Sequence, residues 1–285
     1  MKVRKIKSLQ VPPHVINKKK RKWRRVFQLI RFVLVTALFS MTIVYAAISP
    51  FFNITGFRAR ESLHYDENAL ITASGISHGG NGFRMLFKEM GRFYFFRIGV
   101  AERSIKENCP YVKSAKVRYL IPSTVSIEVE ERVAAAVLVM NGANLLIDKE
   151  GYLLELVPEI SDLKLPIIVG IELNSPKPGK KIDIPDETLS SALKVFDTIR
   201  EVDKLNEPNE DKLIDSVDYV DVGDIYNVSF SVQSRVIVNL GKMEDLHYKI
   251  NAAKTIFFRN IKRTERGKLD FSMDTNPVFT PENGG

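Results

Sequence analysis

From residue 32 to residue 52 the chain runs for 21 residues without a charged side chain. As a helix at 1.5 Å per residue that run is roughly 31 Å long, the thickness of the hydrocarbon layer of a bilayer. Directly before it, residues 1–31 hold twelve Lys or Arg, among them Lys18, Lys19, Lys20, Arg21, Lys22, Arg24 and Arg25, and no Asp or Glu. The formal net charge of +8 therefore belongs to one end: taking those twelve from 42 basic residues leaves 30 against 34 acidic ones in the other 254. The body is mildly acidic. A basic tail can serve nucleic acid, or it can hold its side of a span in the cytoplasm, where anionic lipid attracts each Lys or Arg by about 1 kcal/mol. Its place beside the apolar run favours topology over nucleic acid.

The expected layout is a cytoplasmic tail over 1–31, a transmembrane helix over 32–52 and an extracytoplasmic body. The protein would then be a single-pass resident of the plasma membrane with its C-terminus outside. A cleaved signal peptide is the competing reading, but its apolar core usually measures about 7–15 residues and ends in small residues. The run here is longer, and Val44-Tyr45-Ala46 makes a poor cleavage site. Cys109 is the one cysteine, so no intramolecular disulfide braces the body. A body of this length must stand on one or two hydrophobic cores.

Past the run, residues 53–57 read as a short strand and residues 66–74 as a helix carrying Ala69, Leu70 and Ala73, with Asp66 as its N-cap. A loop with Gly75, Gly79, Gly80 and Gly82, an aromatic stretch (Phe87, Phe93, Tyr94, Phe95, Phe96) and a second helix near residues 101–108 follow, the last stopped by Pro110. Ala115, Val117 and Tyr119 alternate with polar residues, as do Val125, Ile127 and Val129, and Pro122-Ser123 separates the two runs. These are half-buried strands joined by a turn. The order strand, helix, helix, strand, strand lets two helices cover one face of a small sheet.

After Glu131 the chain reads mostly as strands, near residues 133–140, 145–147, 152–156, 166–170, 228–232, 235–240 and 268–273. Helices are expected over 187–202 and 243–261, and residues 205–213 read as a polar loop. Asp148-Lys149-Glu150-Gly151 has the residues of a type I turn and closes a hairpin. Residues 274–285, with Pro277, Pro281 and a Gly-Gly end, are expected to be a flexible tail.

No catalytic constellation meets the spacing its chemistry needs. His14, His64, His78 and His247 show no paired i, i+4 arrangement for a metal. There is no G-x-S-x-G elbow, and the glycines of residues 75–82 lack the Lys-Ser or Lys-Thr of a phosphate loop. Asp215, Asp218, Asp221 and Asp224 recur every third residue, a spacing that on an extended chain does not converge on one ion. They are expected to form a solvated strand edge. The sequence thus predicts no catalytic residue, no metal and no cofactor.

Two segments carry a resemblance. Cys109-Pro110-Tyr111-Val112-Lys113-Ser114-Ala115-Lys116-Val117 is followed by Pro122-Ser123-Thr124-Val125-Ser126-Ile127-Glu128-Val129-Glu130-Glu131-Arg132. Leu146-Ile147-Asp148 with Gly151, Leu165-Pro166 with Gly170, and Leu269-Asp270 with Pro277 and Phe279 come after them in order. Together with the basic tail and single anchor, this set resembles the FtsQ/DivIB family of bacterial cell-division proteins. Val133 stands where many relatives have Pro, and the chain ends soon after its last strand.

The resemblance implies an α+β protein: a single transmembrane helix, a POTRA domain (β-α-α-β-β) over 53–131, and a mostly antiparallel β domain with flanking helices over 132–273. It implies a scaffold, not an enzyme, recruiting the bitopic coiled-coil proteins FtsL and DivIC/FtsB at the division septum. Through them it would help control the septal peptidoglycan synthase among other divisome proteins. An exposed last strand suits such a role, because an edge offers unpaired N–H and C=O groups to a partner strand. The expected partner-binding residues are Lys268, Leu269, Asp270, Phe271, Ser272 and Met273, with Tyr248 and Lys249 on the preceding helix. The same residues also read as ordinary core and solvent-facing strand. The POTRA segment would either contact other divisome members or space the β domain from the membrane. The alternative is a membrane-anchored POTRA module in protein secretion or envelope assembly.

Overall fold

The computed structural model describes residues 14–60, 62–87, 96–140, 142–160, 163–205, 211–273 and 276–282. The predicted aromatic stretch at Phe93 to Phe95 and most of the polar loop after Leu205 lie outside them. Helix α1 (His14–Ile48) is continuous and contains a stretch, Lys22–Ala46, long and apolar enough to cross a membrane. It stops before the predicted Phe52. Pro50 cannot donate a helical hydrogen bond and disfavours helix at the residue before it. Ser49 is accordingly extended (φ −69°, ψ 130°), its hydroxyl accepts the Phe51 N–H at 3.3 Å, and Pro50–Phe52 forms one 3-10 turn.

Strands β1 (Gly56–Ala59), β2 (Val112–Leu120) and β3 (Thr124–Glu131) form a sheet in the order β1-β3-β2. Helices α2 (Glu67–Ser74), α3 (Gly82–Phe87) and α4 (Gly99–Asn108) accompany it. The predicted strand and helix order is present, with α3 as an extra short helix inside the glycine loop. Gly82 is there for a close approach: a Cβ would fall 2.2 Å from the Tyr119 ring.

The chain divides into two compact units, the first comprising residues 1–58, 76–98 and 118–126, the second residues 59–75, 99–117 and 127–285. In the first, α3 packs on α1, Asn81 Nδ2 donates to Ser49 O at 2.9 Å, and Ile54 N–H donates to Gly80 O at 2.8 Å. In the second, Asp66 caps α2 as predicted, accepting the Ala69 N–H at 2.7 Å. The Ser104 hydroxyl ties α4 to Ala73 O at 2.7 Å, and buried Glu102 accepts the Val117 N–H at 3.1 Å.

The rest of the second unit is built on a nine-stranded sheet. Its strands are β4 (Ala134–Met140), β5 (Ala143–Asp148), β6 (Leu153–Val157), β7 (Ile167–Val169), β8 (Val217–Asp221), β9 (Val228–Val232), β10 (Val236–Gly241), β11 (Gly267–Asp270) and β12 (Val278–Pro281). They lie in the order β12-β11-β10-β9-β8-β7-β4-β5-β6, and five of the eight neighbouring pairs are antiparallel. Helices α5 (Asp186–Leu205) and α6 (Leu246–Arg259) are the crossovers of the parallel pairs β7/β8 and β10/β11. Both crossovers step the same way along the sheet, so right-handed connection puts both helices on one face. The core lies between them and the sheet, with Phe230, Val238, Leu269, Phe196, Ile250 and Phe257 all buried there.

Two expectations are corrected. The Asp-rich segment is no solvated edge: β8 lies inside the sheet between β7 and β9. Asp218 accepts from the Ser231 hydroxyl at 2.8 Å and the Ser234 N–H at 2.5 Å, while Asp221 and Asp224 accept the N–H groups of Gly223 and Tyr226. Among the described residues no group of three or more His, Cys, Asp or Glu is placed to hold a metal. Nor is the C-terminal stretch a loose tail throughout, because residues 278–281 are strand β12, paired to β11 with Phe279 packed against the core.

Candidate interaction surface

The two edges of the large sheet differ. At the start of β6 the chain returns against the edge: Leu153 N–H donates to Lys180 O at 3.0 Å, Gly179 N–H to Leu153 O at 2.8 Å, and Ile182 N–H to Gly151 O at 2.8 Å. At the other end β12 pairs with β11 alone, and among the described residues nothing covers its outer side.

The register says which groups that side offers. Glu282 N–H donates to Arg266 O at 2.8 Å, and the pairs are Gly267↔Pro281, Lys268↔Thr280, Leu269↔Phe279 and Asp270↔Val278. In an antiparallel ladder inward and outward residues alternate. Val278, Thr280 and Glu282 thus bond to β11, and Phe279 and Pro281 turn their backbone outward. Proline has no N–H, so the open edge presents the N–H and C=O of Phe279 and the C=O of Pro281. Val278 is exposed beside them.

The predicted residues sit one strand further in. β11 is an interior strand, held parallel to β10 on one side and antiparallel to β12 on the other, which corrects the expectation of an exposed last strand at 268–273. The reason is the unforeseen β12. Leu269 and Phe271 are buried in the core, and Phe271 N–H donates to Asn239 O at 2.8 Å. Lys268 pairs with Asp270 at 3.1 Å. Burial works against the charge on Asp270, but the N–H and hydroxyl of Ser272, the Lys268 ammonium and Asn239 Nδ2 outweigh it and hold the carboxyl down at about 2. Met273 is exposed just past the strand.

Lys249 donates to Leu240 O at 2.9 Å and Lys242 O at 2.8 Å, so its ammonium pins the start of α6 to the end of β10. Gly241 in that link lies against Ser272. The α6 start and the β11 exit therefore share one corner, from which Tyr248 projects into solvent. On the sheet face away from the helices, Tyr219, Ser231, Ile237, Lys268 and Thr280 line an open groove of about 570 Å³ running up to β12.

A second cluster explains residues that sequence reasoning used only as a pattern. Glu131 accepts from His64 N–H at 3.0 Å and lies 2.9 Å from His64 Nδ1. Arg132 is buried, its guanidinium 2.6 Å from Asp148 and 3.1 Å from Glu150, and stacked 3.5 Å above the Tyr152 ring. Tyr111 donates to Glu155 at 2.9 Å; burial, then that carboxylate, push its phenol well above the usual range. Arg132 thus joins the end of β3 to the β5–β6 hairpin, Tyr111 joins the start of β2 to β6, and Glu131 ties β3 to the segment before α2. Alternation alone could not have revealed these contacts, because the partners are distant in sequence.

The profile of the FtsQ-type POTRA domain matches residues 60–132. The cell division protein DivIB of Clostridium botulinum (strain Hall) is 26% identical over 264 residues, covering 91% of this chain and 93% of the relative. That of Clostridium acetobutylicum is 25% identical over 232 residues, 81% of this chain and 84% of the relative. The cell division protein FtsQ of Koribacter versatilis is 28% identical over 149 residues, 51% of this chain and 40% of the relative.

Proposed function

We infer, from a chain that belongs with the FtsQ/DivIB cell-division proteins, that its task is to bind division partners at the septum and not to catalyse. The body lies outside the cell, the basic tail inside. The partners are the FtsL-like and DivIC/FtsB-like bitopic proteins, and through them the septal peptidoglycan synthase. The names of the relatives favour this over protein secretion or envelope assembly. The observation that carries the binding mode is the β12 edge: among the described residues nothing pairs with its outer side, whereas the chain's own backbone bonds to the opposite edge at Gly151 and Leu153, the start of β6. An unpaired edge is a template for a further strand. Its side chains choose the partner, here Val278, with Met273 and Tyr248 exposed near the strand ends.

The test is co-purification from detergent of the full chain with FtsL and DivIC/FtsB homologues. Val278→Asp and a chain ending at Met273, which removes β12, are compared with wild type. Retention by wild type and at least tenfold loss in both variants, with unchanged far-ultraviolet circular dichroism, supports scaffold and edge together. Equal binding by the variants removes the edge and leaves the scaffold, whereas no binding by wild type removes the scaffold.

A further inference from the structure

The β2–β3 turn folds back on the point where the chain leaves α1. Tyr119 Oη donates to Phe52 O at 3.1 Å, and Thr55 and Gly56 N–H both donate to Ser123 O, at 2.8 and 3.2 Å. The hydroxyls of Thr55 and Ser123 are 3.1 Å apart, and residues 118–126 fall in the same compact unit as α1. A hairpin turn in water is normally polar. This one exposes Leu120 and Ile121, 38% and 54% accessible, and Phe51 at the helix exit is 67% accessible. Scattered apolar residues need no explanation. These three are gathered at the exit of a span whose last helical residue, Ile48, is only three positions before Phe51, at most roughly 11 Å of chain.

Arg118 is also exposed, on the same side of β2 as Leu120. Two residues of strand place it roughly 7 Å further from the turn. An apolar tip with a cation behind it matches the layering of a bilayer surface, hydrocarbon boundary first and phosphate above. We propose that the β2–β3 turn is a second membrane contact: Leu120 and Ile121, beside Phe51, enter the interfacial layer of the leaflet from which α1 emerges, with Arg118 at the phosphates. The occupant is lipid, because the patch continues the surface of a helix that itself crosses the bilayer. The first compact unit would then meet the membrane at two points, the α1 helix and the turn. This rests on the single-pass reading of α1 and not on the β12 edge.

Trp23 is the one tryptophan in the chain, so a Trp23→Phe background allows single-tryptophan reporters. Ile121→Trp and, independently, Leu120→Trp are compared with Tyr226→Trp, an exposed position in the second unit. Each full-length protein is placed alone in phosphatidylethanolamine/phosphatidylglycerol nanodiscs, with and without lipid brominated high on the acyl chain. Blue-shifted emission from the turn reporters and quenching at least twofold stronger than at position 226 is the expected result. Water-like emission from both, quenched no more than the control, overturns the proposal. So does shielding that develops only when a partner protein is added, which would make the patch a protein contact.

Discussion

Arg132 shows how one side chain ties distant pieces of sequence together. Its guanidinium is buried between Asp148 and Glu150 and above Tyr152, while Asp148 Oδ1 also accepts the N–H groups of Glu150 and Tyr152 at 2.9 and 2.8 Å. The turn preference of Asp148 was legible in the sequence; its buried counter-charge was not, because turn statistics do not see a residue 16 positions away. A buried pair is weak evidence of net stability, yet breaking one from a single side strands a charge and costs about 3–5 kcal/mol. Asp148→Asn keeps the acceptor for the turn and removes the charge, so it isolates that loss. Urea unfolding of the detergent-solubilised chain should place Asp148→Asn in that range. Glu150→Gln should cost much less, since its carboxylate is 40% accessible, as is expected of an exposed partner. Equal losses would mean that Arg132 does not depend on the buried carboxylate.

At the scale of elements, what could be read was what local pattern dictates. The clean alternation of β2 and β3, the Asp66 cap and the apolar faces of α5 and α6 all depend on near neighbours, and each appears within a few residues of its expected place. Strand β8 departs from the expected solvated edge and β12 from the expected loose tail, because tertiary partners decide both. The aspartates of β8 are satisfied by Ser231 and by turn N–H groups, and β12 is four residues, Val278–Pro281, that persist by pairing with β11 and packing Phe279 on the core. The expected edge therefore lies one strand short of the observed one. That pairing has a specific weak point. A Cβ on Gly267 would lie 2.2 Å from Thr280 O and 2.9 Å from Pro281 Cα, backbone atoms that cannot swing aside. Gly267→Ala should cost about 1–3 kcal/mol by overpacking, concentrated in β12. Hydrogen exchange should show the Thr280 and Lys268 amides losing protection while those of β9 and β10 keep theirs. Unchanged exchange at Thr280 would show that β12 yields without detaching, and that the edge tolerates more than its geometry implies.

On the scale of the whole molecule, charge and apolarity divide the chain into parts that must end up in different places. The basic cluster and the span lie on one uninterrupted helix, His14–Ile48, so residues 18–25 are a direct extension of the membrane segment. Twelve cations precede the span without one anion, and the remainder carries 30 basic against 34 acidic groups. Orientation follows the Lys/Arg bias close to the span ends and is little affected by acidic residues, so the tail and not the acidic body should decide it. Both the β12 edge and the β2–β3 turn can act as argued only if the body reaches the outer side. Protease added to spheroplasts should then digest wild type down to a protected fragment ending near Pro50. Changing Lys18, Lys19, Lys20, Arg21, Lys22, Arg24 and Arg25 together to Gln removes the attraction to anionic lipid, about 1 kcal/mol for each cation near the surface. A substantial fraction of that variant should resist the protease, its body now inside. If wild type itself resists, the orientation is reversed and every extracytoplasmic contact falls with it. If the variant is still digested like wild type, the cluster at residues 18–25 is dispensable for topology, and the other tail cations, Lys2, Arg4, Lys5, Lys7 and Arg31, or translocation of the folded body must be carrying the decision.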